Sequence, residues 1–195
     1  MAPNRTGIKK GTRVAVEPIR KKKDIKAILQ MLQGNHRDSL LWIMGINNGL
    51  RASDLVKLKV SQVKDCKPGD TVTVIESKTK KPNVLVINKS VYKALQTYLK
   101  EVDPEGYLFR SKKGGHISSQ SVGRLIKTWA ARINLKGNYG AHTLRKTWGY
   151  HQRVNYGVGF EIICKRYNHS SPAITMGYLG IEDKEVHTVL MNEIG

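Results

Sequence analysis

With 195 residues, 39% of them hydrophobic, the chain can bury one sizeable core but would be cramped as two full domains. Lysine and arginine number 34 against 15 acidic residues, and the net charge of +19 attracts polyanions: nucleic acid first, with a membrane surface or ribosomal RNA fitting the same charge. No apolar run reaches bilayer-spanning length and residues 1–23 carry no signal-peptide hydrophobic stretch, so a cytoplasmic protein without a membrane partner is expected.

Residues 1–23 mix Gly, Pro and many cations, among them Lys9, Lys10, Arg13 and the run Arg20 to Lys23, and read as a flexible basic arm ahead of a domain covering 24–195. Ile25, Ile28, Leu29 and Leu32 then recur at helical spacing. Ser39 to Ile46 is apolar nearly all round, which predicts a buried helix, and Asn48-Gly49 ends it because both residues tolerate positive φ. That helix end delivers Arg51.

Thr71–Ile75 and Val84–Ile87 are rich in β-branched residues, and the lysine-rich stretch 76–83 between them predicts a hairpin tip holding Lys78, Lys80 and Lys81. Val91, Ala94, Leu95, Tyr98 and Leu99 mark an amphipathic helix. Val122, Leu125, Ile126 and Trp129 mark another, with Ser119 as its expected N-cap. Helical patterns continue over His142–Val154, Phe160–Tyr167, Pro172–Tyr178 and Glu182–Met191, with Ser171-Pro172 opening the third of these. The expected class is mainly α (α+β), one mixed helical domain with a small antiparallel hairpin. Cys66 and Cys164 lie far apart outside any C-x-x-C pair, which speaks against a zinc ribbon or disulfide framework.

Four stretches carry chemistry when taken together: Gly49-Leu-Arg51-Ala-Ser-Asp54-Leu, the lysine hairpin, His142-Thr-Leu-Arg145, and a run from His169 to Tyr178. Alone, Arg51 reads as a helix-end cation, Lys78 as a turn lysine, each histidine as a partly buried ring and Tyr178 as a helix-end aromatic. In this order, with histidine nine residues before tyrosine, they resemble the catalytic domain of the tyrosine recombinase (phage integrase) family over about residues 20–190. A phenol with an ordinary pKa near ~10 needs help to attack a phosphodiester, and two arginines can each donate paired hydrogen bonds to its oxygens.

The resemblance implies Tyr178 as nucleophile, Arg51 and Arg145 as the phosphate clamp and Lys78 as the acid for the departing 5′ oxygen, with Lys80 the alternative. His142 is the expected proton acceptor and His169 a phosphate ligand, although the reverse assignment also fits the sequence. It implies duplex DNA as partner, a homotetramer on DNA that need not persist in solution, and no metal or other cofactor. A non-catalytic DNA-binding protein on the same fold and a type IB topoisomerase are the alternatives. Asp54 stands where the family usually has Glu, a residue expected to orient Arg51, and Lys146 stands where the family often has a second histidine. The family's separate N-terminal DNA-binding domain is expected to be missing, as in an excised domain or a compact relative.

Overall fold

Apolar spacing and polar caps together dictate the elements of the computed structural model, which describes residues 15–180 together with 190, 191 and 193. In chain order they are α1 (Lys22–Met31), α2 (His36–Asn48), the short α3 (Ala52–Leu55), a single 3-10 turn (Val60–Gln62), β1 (Thr71–Ile75), β2 (Pro82–Val86), α4 (Lys89–Tyr98), α5 (Ser119–Arg132), α6 (Ala141–Tyr156), α7 (Phe160–Tyr167) and α8 (Pro172–Leu179). The two strands pair antiparallel from Thr71 opposite Val86 to Ile75 opposite Pro82. The mainly helical class with one small hairpin therefore stands. Of the helix expected over 182–191, residues 182–189 lie outside the described residues.

Side-chain acceptors fix where helices start. Asn88 accepts from the Val91 amide and opens α4, and Ser171 with Pro172 opens α8. The N-cap of α5 is Ser118, not Ser119: its hydroxyl accepts from the Ser121 amide, and adjacent serines are indistinguishable by composition. Gly49 ends α2 with φ +62°, and a Cβ there would lie 2.6 Å from the Trp148 ring, so both conformation and space require glycine.

A large core joins α1, α2, α4 and α5 to the inner face of the hairpin, with Leu41, Trp42, Leu85, Leu95, Phe109 and Ile126 fully buried. Each such side chain stabilises the fold by about 1.5–3 kcal/mol through burial. Trp42 meets Trp129 edge to face at 6.1 Å. A second, smaller core gathers Phe160, Ile163, Tyr167 and Leu179 from α7 and α8. Helix α6 lies between them, packed on α2 and α5 on one side and on α7 and α8 on the other. Residues that α6 exposes at this seam can meet groups from both halves.

The segment 15–21, read above as part of the basic arm, is tied to α6. Ile19 is buried, its amide donates to the Thr147 hydroxyl at 2.9 Å, and the Thr143 hydroxyl donates to the Glu17 carbonyl at 2.9 Å. These bonds use backbone groups, which composition does not display. Residues 1–14 of the expected arm lie outside the described residues.

Candidate active site

The Gly49 turn swings the chain from α2 into α3 and leaves Arg51 in an extended conformation at the start of α3, with buried Leu50 anchoring it. Its guanidinium pairs with Glu76 at 2.6 Å, and that carboxylate is fully buried where β1 enters the hairpin tip. Glu76 also accepts from the Thr79 hydroxyl at 2.6 Å and the Asn83 amide at 3.0 Å. Burial alone would raise the Glu76 carboxyl, but hydrogen bonds from Thr79, Asn83, Arg51 and Asn168 outweigh it and hold the pKa at about 2. One carboxylate thus joins Arg51 to the tip that carries Lys78. Asp54, expected to orient Arg51, accepts instead from the Ser77 amide at 2.9 Å and so holds the backbone just before Lys78.

Helix α6 presents His142 and Arg145 one turn apart. Arg145 is 2% exposed and bridges the two halves, donating to the Gly49 carbonyl at 2.8 Å and the Tyr167 carbonyl at 2.7 Å. Its guanidinium lies 4.1 Å from the Tyr167 ring centroid. Two of its five N–H donors are thus on backbone, and it also hydrogen-bonds the Tyr178 side chain across the cavity that both line. Asn168 ends α7 with φ 51° and turns the chain to His169, whose Nδ1 lies 2.9 Å from the Thr175 hydroxyl. Helix α8 then places the Tyr178 hydroxyl 3.3 Å from His142 Nδ1. The Tyr178 ring is edge-on to Tyr167 at 5.6 Å and to His169 at 5.4 Å.

One cavity of about 400 Å³ is lined by Arg51, Lys78, Thr79, His142, Arg145, Asn168, His169, Ser170, Ile174 and Tyr178, so all six expected site residues face a single space. Lys80 is not among the lining groups; it adopts φ 59° within the tip, with its amide donating to the Glu76 carbonyl. A neighbouring cavity of about 470 Å³ shares Arg51, Lys78 and His142 and runs on past Ser119 and Gln120 at the start of α5.

Burial pushes the Tyr178 phenol up to about 12 despite the opposing pull of Arg145 and Arg51, so it stays protonated at neutral pH. Burial and the same arginines lower His142, and they lower His169 to about 4, so both rings are neutral at pH 7. The site can therefore hold an anion between two guanidiniums, with a neutral imidazole beside a phenol ready to receive its proton. Among the described residues no cluster of His, Cys, Asp and Glu is arranged to hold a metal ion.

Sequence reasoning missed Glu76, Asn83 and Arg166. Arg166 donates to the Asn48 carbonyl at 2.9 Å and to the Asn83 side-chain oxygen at 2.6 Å; burial, then Arg145, lowers its pKa to about 10. The one available signal was an acidic residue, Glu76, two positions before the first of the hairpin lysines. Lys146, which stands where the family often has a second histidine, has its ammonium 4.6 Å from the Tyr178 ring centroid.

The sequence pattern of the phage integrase family matches residues 20–185. The chain is 40% identical over 172 residues to "Probable integrase/recombinase YoeC" of Bacillus subtilis (strain 168), covering 86% of this chain and 91% of that one. It is 31% identical over 169 residues to "Tyrosine recombinase XerC" of Caldanaerobacter subterraneus subsp. tengcongensis, covering 83% of this chain but only 46% of that protein. Among solved structures, the XerA recombinase crystal structure superposes with a TM-score of 0.73 at 20% identity, over 91% of this chain and 67% of that one. The Tn1549 transposon integrase, solved in complex with circular intermediate DNA, superposes with a TM-score of 0.66 at 17% identity, over 87% of this chain and 66% of that one.

Proposed function

The chain belongs to the phage integrase family, that of the tyrosine recombinases, and on that premise we propose that it cuts and rejoins duplex DNA site-specifically through a covalent bond to Tyr178. The supporting observation is convergence: six side chains from four separated stretches line one cavity, with the phenol beside a neutral imidazole.

In this reading the Tyr178 oxygen attacks the scissile phosphorus while His142 takes the phenolic proton, and the bond to the 5′ oxygen breaks as Lys78 protonates it. The product is a 3′-phosphotyrosyl bond and a free 5′ hydroxyl. Rejoining runs the same steps backwards with a 5′ hydroxyl of either strand as nucleophile. Arg51 and Arg145 stabilise the charge that builds on the non-bridging oxygens, and His169 adds a further hydrogen bond there. Side-chain cations take the place of a Lewis acid, so the chemistry calls for neither metal nor nucleotide.

Residues 24–195 serve as the catalytic domain, with residues 15–21 docked on it, and the cations of the N-terminal stretch 1–23 add to its basic DNA-contacting surface. Strand exchange between two duplexes engages four protomers, which need not associate without DNA, and the reaction takes place in the cytoplasm.

Incubation with a nicked suicide substrate followed by a denaturing gel tests the proposal. The parent chain is expected to give a covalent DNA adduct and Tyr178→Phe none, with DNA affinity within a few-fold of the parent. An adduct formed by the phenylalanine variant would overturn the assignment of the nucleophile. No adduct from the parent, despite tight binding, would favour a non-catalytic DNA-binding protein.

A further inference from the structure

Resting on Tyr178 as the nucleophile, we infer that Lys146 is a positioning residue for the reaction: its ammonium holds the Tyr178 ring from behind and favours the phenolate over the phenol. Lys146 is the next residue after Arg145 on α6, so it is rotated away from the face that lines the cavity, and it is absent from the cavity wall. It is 8% exposed, and its ammonium lies 4.6 Å from the Tyr178 ring centroid. No carboxylate is within ion-pair distance of it among the described residues. The ring face is its close partner.

The charges around this contact are asymmetric. On the cavity side Tyr178 faces His142, Arg145, His169, Arg51 and Lys78. Behind it, Lys146 feels Arg20 and Glu17 of the N-terminal segment, themselves paired at 2.9 Å. Burial and Arg20 weaken the hold of Lys146 on its proton, whereas Glu17 strengthens it. An ammonium over an aromatic face is attracted to the ring's negative quadrupole, most strongly where water is excluded. When the phenol ionises, charge spreads into the ring and the attraction grows, so the contact is stronger in the attacking form than in the resting one. That is the differential binding a catalyst needs. It acts in the same sense as Arg145 and Arg51, which oppose the burial that raises the phenol's pKa.

The test uses the full chain with 3-fluorotyrosine at position 178, whose phenol ionises at lower pH than tyrosine and is followed by ¹⁹F NMR. Lys146→Met keeps the stem and removes the charge. It is expected to raise the phenol pKa by about one unit and to slow single-turnover cleavage about tenfold at saturating DNA, with unchanged DNA affinity. The deficit should shrink as pH rises, and Lys146→Arg should restore both readings. Lys146→Gln, judged by the same two readings, serves if the methionine variant does not fold. An unmoved fluorine titration, or cleavage at the parental rate, overturns the inference. Failure of the nucleophile assignment shows separately, as an adduct in Tyr178→Phe.

Discussion

Arg145 serves the fold and the proposed chemistry with the same guanidinium. Its hydrogen bonds to the Gly49 and Tyr167 carbonyls staple the end of α2 to the end of α7 before any substrate arrives and fix the guanidinium in the cavity wall. Such prior organisation is what makes electrostatic stabilisation effective. Arg145→Lys keeps the charge but loses the planar fork, so two effects should separate. Cleavage is expected to fall by about 10²–10³-fold in single-turnover assays. Urea unfolding should show a loss of about 1–3 kcal/mol from a buried carbonyl left without its donor. Undiminished stability would mean that a lysine reaches both carbonyls. The resemblance carried by four ordered motifs brought Arg51, Lys78, His142, Arg145, His169 and Tyr178 into view from sequence. The backbone bonds of Arg145 were out of reach, because their partners lie 96 and 22 residues away in the chain.

An isolated two-stranded hairpin is marginal in water, so β1 and β2 must be held from outside. Asn48 does part of this with its side-chain amide, accepting from the Val86 amide at 2.7 Å and donating to the Val86 carbonyl at 3.2 Å, as a neighbouring strand would. Asn83, near the other end of β2, ties the same strand to Arg166 of α7, and Glu76 ties the tip to Arg51. Periodicity made the hairpin legible but not this anchorage. Asp54 was the expected partner of Arg51 because it stands where the family usually has Glu, whereas the carboxylate that reaches the guanidinium is that of Glu76 at the hairpin tip. Removing the charge with Glu76→Gln strands a mostly buried arginine and is expected to destabilise the chain by about 3–5 kcal/mol. The pH dependence has a definite sign. The folded-state pKa of about 2 lies below the ordinary 4.5, so the contribution of Glu76 is complete above 4.5 and is lost as pH falls towards 2. Chemical denaturation across that window should show a step in the parent that the glutamine variant lacks.

At the scale of the whole molecule, the charge of +19 was legible at once, while its meaning depended on the motifs. If the proposed DNA complex neutralises several phosphates, affinity must fall steeply with salt through counterion release. A plot of log K against log salt concentration should then have a slope of several units, about −0.9 per phosphate contacted. A nearly flat dependence, measured by fluorescence anisotropy, would count against duplex DNA as the partner. The core and the helix order were legible because burial follows apolar spacing. The tethering of residues 15–21 was not, since it is made largely by main-chain groups together with the buried residues Pro18 and Ile19.

The cavity gathers Arg51, Arg145 and Lys78 around one buried acid, Glu76, and that acid is already committed to Arg51. Without an anion these cations repel one another, and the surrounding fold holds them together against that repulsion. A phosphate seated between them relieves it, binding the native state and not the unfolded chain, so occupancy of the site adds directly to folding stability. On the proposed reading the substrate then acts as a missing counterion of the native structure.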